Sequence, residues 1–513
     1  MVSGYENYKI YYGDIHNHCG ISYGHGTIED AFANARLQLD FCSITGHGHW
    51  PDMPRDEERL RSIVEYHEKG FARLRENWGH VKAVTEADNE DGEFVTFLSY
   101  EWHCMRSGDH TIIYKNGEGD IIPAATLLEL KKAIAERKRE GIDSIVMPHH
   151  ISYPAGYRGI NWADFTADFS PIVEIISMHG CGESDDAPYP PLHTMGPRDH
   201  NSTAQHGLAL GHIFGFAGNT DHHSAHPGSY GCGRTGVWAE SLSREGIWEA
   251  IQARRTYALT GDRIELQFAI NGNPMGSVID EHAERRDIEI SVIGGGSIDY
   301  IELVKNNKAI YRKSATDVKT PEPGNVIRTK LFVEVGWGKQ IEQRWDVRLE
   351  IGSGKLIAVE PRFRGEYVVA PKNDEEGEYQ YSSWRREGER TVRFKTRTNG
   401  NPTVLTDANQ GMTLEVEMPV DGKVIANFNG REVEYTLREL LTGGRAGYVG
   451  GFVSAAYCFH RALMPEEYEW RITFQDVAAE TQSYDFYYVR VCQKNGQWAW
   501  SSPIWVACIK PGN

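Results

Sequence analysis

The chain has 513 residues and a formal net charge of −18, with 54 basic against 72 acidic residues. Its length predicts two or three domains, and its 40% hydrophobic and 25% charged content is typical of a globular protein with a buried core. The excess negative charge repels a phosphate backbone and no basic cluster offsets it, which argues against nucleic acid as a partner.

The amino-terminal residues and the cysteines bear on where the protein works. The segment MVSGYENYKIYYGDIHNH has neither a basic nor an apolar leader region, so we expect no signal peptide. No run of about 18 apolar residues occurs, which argues against a membrane span. The eight cysteines are scattered and form no CxxC pair, as is common for reduced thiols. We therefore expect a cytoplasmic protein that does not partner a membrane.

Histidine is concentrated in the first part of the chain. Nineteen of the 21 histidines lie in residues 1–226, a segregation that a site built of imidazole explains. Six short apolar runs, interpreted as strands, each lead into residues of metal-ligand type. The runs and the residues after them are 8–14 with His16 and His18, 41–45 with His47, 94–100 with Glu101, 144–147 with His149 and His150, 172–177 with His179, and 213–218 with Asp221 and His223.

A seventh apolar run occupies 235–240, and helical patterns separate the strands at 28–38, 56–77 and 124–140. This alternation of strand and helix predicts an α/β fold, specifically a βα barrel. The carboxyl ends of barrel strands meet at one mouth. We therefore expect residues 1–264 to form a barrel domain whose ligand-type residues converge on a single point.

The pattern changes from about residue 265. Short alternating runs, separated by Gly, Pro and Asn or Asp turns, predict an all-β, sandwich-like region over 265–513. A charged connector interrupts this region at 374–390, and no residues in it have the spacing of metal ligands. We expect this β-rich accessory region to brace the barrel, to shape the mouth of the pocket, or to join the subunits of a homo-oligomer.

Six motifs, taken in chain order, resemble those of the polymerase and histidinol phosphatase (PHP) superfamily. They are GDIHNH at 13–18, SITGHG at 43–48, SYEWH at 99–103, MPHH at 147–150, SMHG at 177–180 and NTDHH at 219–223. The chain is most similar to a long branch with a β-rich extension, through 243–264 and 487–506. The resemblance implies a distorted seven-stranded βα (TIM-like) barrel and a metal-dependent hydrolase.

The resemblance also implies three metal sites that together hold two or three divalent ions. The expected ligands are, for the first ion, His16, His18, Glu101 and Asp221; for the second, Glu101, His149 and His179; and for the third, His25, His47 and His223. Two departures from the superfamily pattern affect the third set. Gly46 stands where the superfamily usually has Asp, and His25 lies one residue further from the pair His16 and His18 than we would expect. Imidazole with carboxylate suits zinc, manganese or iron.

Further residues near these strand ends are candidates for catalysis and substrate binding. Glu101 and Asp221 are expected to act through the ions they hold, and either His49 or His103 to protonate the leaving oxygen. The candidates for substrate contact are His150, Tyr153, Tyr157, Arg158 and Arg198. An ordinary surface loop is the alternative for the tyrosines and arginines among them.

The preferred interpretation is a phosphoesterase that uses a metal-bridging hydroxide to attack a small anionic substrate. Clustered divalent ions lower the pKa of bound water to about 7 and neutralise phosphoryl oxygens. Such a site stays positive inside an acidic protein. Two alternatives are open, namely hydrolysis of a carboxylic ester, lactone or amide by the same cluster, and a non-catalytic, metal-stabilised binding module.

Overall fold

The protein is described here by a computed structural model that covers residues 2–190, 192, 195–319, 321–322, 324–338, 342–367, 377–401, 407–479 and 483–508. Residues 374–376 of the predicted connector lie outside this described part. The chain is a mixed α/β protein that is rich in β-structure. No helix among the described residues is long and apolar enough to cross a membrane. All eight cysteines are free thiols.

The first part of the described chain contains ten strands and six α-helices. The strands are β1 (Lys9–Asp14), β2 (Phe41–His49), β3 (Val95–Trp102), β4 (His110–Tyr114), β5 (Ser144–Pro148), β6 (Ile172–Ser177), β7 (Gly180–Cys181), β8 (Gly215–Gly218), β9 (Arg234–Ala239) and β10 (Thr256–Leu259). The helices are α1 (Ile28–Arg36), α2 (Arg61–Glu76), α3 (Trp78–Ala87), α4 (Leu127–Arg139), α5 (Ala204–Ala209) and α6 (Arg244–Gln252).

These strands lie in two sheets of mixed direction. One sheet has the order β10-β9-β1-β2-β3-β4-β5, in which the pairs β1–β2 and β2–β3 are parallel and the others antiparallel. The other sheet has the order β7-β6-β8, with β6 and β8 parallel. A short link without a helix joins β3 to β4, so these two strands form an antiparallel hairpin.

The sheets of the described residues do not close into a barrel, so the expected TIM-like barrel is not seen. The two sheets adjoin at two places, here called seams, between β5 and β6 and between β8 and β9. Between β5 and β6, the Val146 N–H donates to the Phe169 carbonyl, and the Ser170 hydroxyl donates to the Val146 carbonyl. Between β8 and β9, the Thr235 hydroxyl donates to the Gly218 carbonyl. Linker and side-chain hydrogen bonds therefore replace the backbone ladder at both seams.

The two sheets nevertheless enclose one apolar core. Phe41 and Phe97 from the larger sheet and Ile172 and Ala217 from the smaller one belong to the same buried cluster. Because β1, β2 and β3 run parallel, as do β6 and β8, the carboxyl ends within each set lie at one edge of the sheet. The shared core holds these two edges next to each other.

The second part of the described chain is almost entirely strands. They are β11 (Glu265–Ile270), β12 (Asn273–Pro274), β13 (Val278–Ile279), β14 (Arg285–Ile293), β15 (Ile298–Lys305), β16 (Lys308–Ser314), β17 (Val326–Trp337), β18 (Gln343–Ile351), β19 (Lys355–Arg362), β20 (Ser383–Arg386), β21 (Thr391–Thr398), β22 (Gln410–Pro419), β23 (Lys423–Phe428), β24 (Arg431–Thr436), β25 (Arg445–Tyr448), β26 (Ala455–Phe459), β27 (Glu469–Val477), β28 (Tyr484–Gln493), β29 (Trp498–Ser501) and β30 (Ile504–Ala507). Two short helices accompany them, α7 (Leu437–Thr442) and α8 (Pro465–Tyr468).

Two five-stranded sheets of this second part enclose a common core. Their orders are β19-β22-β17-β26-β25 and β20-β21-β18-β23-β24. Leu331, Val333 and Val335 of β17 pack in that core with Val347 and Leu349 of β18. Successive residues of a strand point to opposite faces, so the polar residues between them face away from the core.

One hydrogen-bonded sheet includes strands from both parts of the chain. β29 pairs antiparallel with β10, and β28, β30, β13, β15 and β16 extend the same sheet. The predicted domain boundary at 264/265 stays a prediction. A cut at that position separates strands that belong to one sheet.

A buried carboxylate also connects the two parts. Glu183 follows β7 and has no exposed surface. It accepts hydrogen bonds from the Tyr488 hydroxyl, Arg490 Nη2 and Trp500 Nε1 at 2.5, 2.6 and 2.9 Å. Arg490 also donates to Glu302 at 2.6 Å. A buried carboxylate is tolerated only with such partners, so Glu183 makes packing of the second part a condition of stability for the first.

We expect Glu183→Gln to lower the free energy of unfolding by about 3 kcal/mol, because it leaves the Arg490 charge poorly compensated. Urea unfolding of the full chain measures the loss. Glu434→Gln, which disrupts the exposed Lys423–Glu434 pair, is the matched control and should cost less than about 1 kcal/mol. Equal effects of the two substitutions would show that Glu183 does not connect the parts.

Candidate metal centre

Two buried carboxylates, Glu101 and Asp221, lie at the adjoining edges of the two sheets. Glu101 belongs to β3, and Asp221 follows β8. The two residues are 2% and 3% exposed, so neither carboxylate is stabilised by bulk water. Asp221 adopts a φ of 52°, a left-handed conformation that is uncommon for a residue other than glycine.

Four imidazoles surround the Glu101 carboxylate. Its Oε2 lies 3.4 Å from His18 Nε2 and 3.4 Å from His47 Nε2. Its Oε1 lies 2.9 Å from His149 Nε2 and 3.2 Å from His103 Nδ1. Glu101 is therefore the one carboxylate shared among residues that follow or belong to β1, β2, β3 and β5.

Asp221 is surrounded in the same way. Its Oδ1 lies 3.0 Å from His18 Nε2 and 3.6 Å from His16 Nε2. Its Oδ2 lies 2.7 Å from His179 Nε2 and 3.6 Å from His150 Nε2. His18 contacts both carboxylates, so the two clusters form one continuous centre.

Six of the imidazoles are oriented by hydrogen bonds at their Nδ1 atoms. This arrangement directs Nε2 toward the centre, as is common for metal-binding histidines. The pairs and their distances are His16 with Glu174 at 2.9 Å, His47 with Ser22 Oγ at 2.9 Å, His149 with Thr111 Oγ1 at 3.2 Å, His150 with Asp109 at 3.0 Å, His179 with the Tyr153 hydroxyl at 3.0 Å, and His223 with the Asp221 carbonyl at 2.8 Å.

The donor set fits divalent cations. His16 Nε2, His18 Nδ1 and Nε2, and His150 Nε2 are buried and have no hydrogen-bond partner among the described residues. Buried polar atoms without partners are costly, and a cation would satisfy them. The groups whose ligand atoms all lie within 4.8 Å of one another are His16–His18–Glu101, His18–His47–His223, His47–Glu101–His103, Asp109–His149–His150 and His150–His179–Asp221.

The charge states of these groups also suit cations. Burial alone would raise the pKa of the Glu101 carboxyl, but His103, His149 and His18 hold it well below its usual value. The pKa of Asp221 is lowered by its histidines in the same way, against burial. Burial, together with nearby His18, lowers the pKa of His47 well below its usual value. Ionised carboxylates and neutral imidazoles are the forms that coordinate metals.

His16 is an exception among the imidazoles. Burial would lower its pKa, yet Glu174 and Asp221 raise it to about 10. A protonated His16 donates to Glu174 through Nδ1, and its Nε2 faces Asp221. A metal ion at Nε2 therefore competes with a proton at neutral pH.

The structure brings the expected ligands of the first ion together, whereas the expected ligands of the second ion are divided between the two carboxylates. His16, His18, Glu101 and Asp221 share the centre, as the distances above show. Of the second set, His149 contacts Glu101, whereas His179 contacts Asp221. Which ion each residue binds stays a prediction.

The third set is brought together in part. His47 and His223 form a group with His18, while His25 lies outside every such group among the described residues. His25 Nδ1 is instead hydrogen-bonded to the Tyr379 hydroxyl at 3.0 Å, and its buried Nε2 has no partner among those residues. The glycine at position 46 also has a packing reason, because a Cβ there would lie 2.5 Å from Leu74 Cδ1 of α2. The aspartate of the PHP pattern would require the Leu74 side chain to shift.

The two candidate proton donors occupy different environments. His49 is only partly buried and lies outside the ligand groups; burial and Arg75 lower its pKa. His103 is fully buried beside Glu101, and its Nδ1 lies 2.7 Å from Arg158 Nη2. The same Nδ1 lies 3.2 Å from Glu101 Oε1 and 3.3 Å from Asp109 Oδ2, so one guanidinium and two carboxylates face it.

The candidate substrate residues are also separated by the fold. His150 and Arg158 belong to the centre, and Tyr153 orients His179. Tyr157 is 70% exposed. Arg198 donates to the carbonyls of its own loop, those of Asp185, Ala187 and Tyr189. Of the five residues, His150, Tyr153 and Arg158 lie at or beside the centre, and substrate contact stays a prediction for all five.

Four residues of the centre were not identified from the sequence. Glu174 is the acidic residue inside the apolar run IVEIIS, a signal that could have been noticed because a buried strand rarely contains a charge. Asp109 follows no strand and pairs with Arg158 and His150. Tyr23 stacks on His47 with ring centroids 3.5 Å apart. Tyr379 comes from the β-rich part, far away in sequence, and no local motif marks it.

Comparison with known proteins gives short or distant matches. The family model "Protein of unknown function (DUF3604)" matches residues 219–285. An uncharacterized protein of Chlamydia muridarum is 30% identical over 169 residues, covering 30% of this chain and 27% of that protein. An uncharacterized protein of Chlamydia pneumoniae is 25% identical over 260 residues, covering 46% of this chain and 40% of that protein. The chain spans less than half the length of these relatives.

A solved structure was also found. It is a two-domain protein from Bacteroides vulgatus containing a predicted PHP-like metal-dependent phosphoesterase. The alignment covers 85% of this chain and 97% of that one, at 14% identity and a TM-score of 0.31.

We expect the protein purified without chelator to carry more than one transition metal ion per chain. The double variant His16→Ala/His18→Ala should lose at least one of them, because His18 contacts both carboxylates. Elemental analysis measures the metal content. The control is His80→Ala, whose exposed ring pairs with Glu29, and its metal content should equal that of the wild type. An unchanged count in the double variant would rule out the centre as a metal site.

Proposed function

We propose that the protein is a metal-dependent hydrolase that cleaves a phosphoester of a small anionic substrate. The observation that carries this proposal is the pair of buried carboxylates, Glu101 and Asp221, bridged by His18 and faced by imidazole nitrogens without other partners. A core of this composition is costly without cations. Glu101, Asp221, His16, His18, His47, His149, His179 and His223 would hold them.

Divalent ions in such a centre activate water for attack and neutralise the charge that develops on the substrate's oxygens. Burial of the centre adds to this effect, because electrostatic interactions are stronger where water is excluded. The ligand groups of the described residues consist of carboxylates and imidazoles, and no cysteine belongs to them.

Arg158 supports an anionic substrate. Its guanidinium lies 3.9 Å from Glu101 Oε1 and is held by Asp109 at 2.6 Å. It also lies over the Trp50 ring at 5.0 Å, and its side chain keeps 17% of its surface exposed. A fixed, partly exposed guanidinium beside the centre is suited to pairing with a phosphoryl group.

His103 is the better of the two proton donors. Its Nε2 is buried and has no hydrogen-bond partner among the described residues. Its Nδ1 is fixed by Arg158, so the ring cannot turn without losing that bond. His103 can therefore donate a proton to the leaving oxygen of a substrate that Arg158 orients.

The first test is a panel of phosphomonoesters, phosphodiesters, carboxylic esters and amides. At least one phosphoester should be turned over in a metal-dependent way, and Glu101→Gln should reduce kcat/KM by at least about a hundredfold, because an amide lacks the charge that the imidazoles and ions face. Glu68→Gln, an exposed carboxylate on α2, is the control. Turnover of carboxylic esters or amides alone would contradict the phosphoester assignment. No turnover, with tight binding of a macromolecule, would favour a binding module.

The second test separates the substrate charge from the chemistry. Arg158→Met should raise KM for an anionic phosphoester by about ten- to a hundredfold, since a charge-assisted pair is lost. Arg158→Lys should recover part of the loss, because the ammonium keeps the charge but not the planar fork. Arg106→Met, at an exposed position nearby, should leave KM unchanged. An unchanged KM in Arg158→Met would exclude Arg158 as a substrate contact.

A further inference from the structure

A cavity of about 490 Å³ lies in the β-rich part of the chain, apart from the metal centre. It opens where the sheet β19-β22-β17-β26-β25 faces the turn between β28 and β29 and the turn between β14 and β15. Its volume falls in the range of small-molecule sites, roughly 300–1,000 Å³. None of the described residues that line it belongs to the metal centre.

The outer face of one sheet supplies the polar wall of this cavity. Lys330, Phe332 and Glu334 alternate along β17, so they project to the side opposite the sandwich core. Thr413 pairs with Phe332 across β17 and β22, and Arg362 ends the neighbouring strand β19. The cavity is therefore built on regular strands, which hold these side chains at fixed positions.

The cavity is positive in a protein whose net charge is −18. Its charged lining residues are five cations, Lys330, Arg362, Arg364, Arg461 and Lys494, and two anions, Glu334 and Asp407. Arg364 pairs with Asp407 at 2.7 Å. Arg461 pairs with Glu467, a residue outside the cavity wall. Arg362 likewise pairs with Asp262, which does not line the cavity. Lys330 and Lys494 then stand against Glu334, and this excess of positive charge concentrates small anions there.

Three buried side chains of this wall have a charge or a hydrogen-bond donor without a full set of partners among the described residues. Lys330 is 8% exposed, donates to the Gly294 carbonyl, and forms no salt bridge within 4.0 Å among the described residues. Arg362 Nε and Thr413 Oγ1 are buried without a hydrogen-bond partner among those residues. Arg362 and Thr413 are 1% and 3% exposed. Unsatisfied buried donors on a cavity wall are costly unless an acceptor enters.

We propose that this cavity is a binding site for a small organic anion, whose phosphate or carboxylate group is held by Lys330, Arg362 and Thr413. Each of these three residues offers a donor, so the group that satisfies them is rich in acceptors. Arg362 Nη2 is held by Asp262 at 2.9 Å and by the Gly295 carbonyl at 2.9 Å, and the buried Nε has no hydrogen-bond partner among the described residues. Lys494 is exposed at the rim and attracts the anion from solvent.

Isothermal titration of the full chain with inorganic phosphate tests the proposal. The protein is stripped of metal ions by chelation and then dialysed free of chelator, so that ions at the metal centre contribute no binding. We expect saturable binding with one phosphate per chain. Lys330→Met should weaken it at least about tenfold, and Thr413→Val, which keeps the shape of the side chain, about threefold or more. Lys355→Met, an exposed lysine of β19 outside the cavity, removes the same charge and should bind as the wild type does.

A parallel titration with acetate distinguishes the two anionic groups. Tighter binding of phosphate assigns a phosphorylated ligand, and tighter binding of acetate assigns a carboxylate ligand. Equal affinity of Lys330→Met and wild type for both anions would overturn the proposal, as would saturable binding of neither.

Crystals soaked in tungstate locate the anion directly through its anomalous scattering. A peak beside Lys330 and Thr413 is the expected result, and peaks beside Glu101 alone or at neither place would overturn the proposal. The two sites share no residue. The proposal of phosphate binding at this cavity and the proposal of hydrolysis at the metal centre can therefore be contradicted independently of each other. Loss of hydrolysis in Glu101→Gln leaves this site intact, and loss of phosphate binding in Lys330→Met leaves the hydrolase proposal intact.

Discussion

Two carboxylates buried among imidazoles impose the constraint on which the first part of the protein depends. Glu101 and Asp221 have lost nearly all contact with water, and an ionised carboxylate is stable there only when donors or cations surround it. The donors follow or belong to strands in both sheets. The fold must therefore hold two separate strand edges side by side. It does so through a shared apolar core, with linker and side-chain hydrogen bonds at the two seams.

The histidines are held in turn by residues far away in sequence. Glu174 of the smaller sheet fixes His16, and Tyr379 of the β-rich part reaches His25. Glu183 continues this dependence, since its partners all lie in the last strands of the chain. The β-rich part thus contributes a partner for His25, and it stabilises the strands around the centre. Its pairing with β10 in one sheet explains how such contacts stay in register.

Charge in this protein is segregated rather than evenly spread. The net charge is −18, yet Arg158 lies beside the metal centre, and two lysines and three arginines line the cavity in the β-rich part. An acidic surface with positive recesses disfavours large polyanions, which touch the surface broadly, and admits small anions, which reach the recesses alone. Under the two proposals made above, both sites favour small anions for this one physical reason.

The sequence alone determined which residues could meet, because ligand-type side chains directly follow apolar strands and the spacing of HxH is a local property of extended backbone. The convergence of such residues and the change to β-structure near residue 265 were predicted on that basis, whereas the grouping of His16, His18, Glu101 and Asp221 came from the resemblance to the PHP motifs. Tertiary structure decided the rest. Whether a strand pairs parallel or antiparallel, whether His179 approaches Glu101 or Asp221, and whether His25 meets a metal group or Tyr379 all depend on contacts between distant segments. Such contacts leave no periodicity in the chain, since their energies depend on packing and hydrogen bonding that exist only after folding.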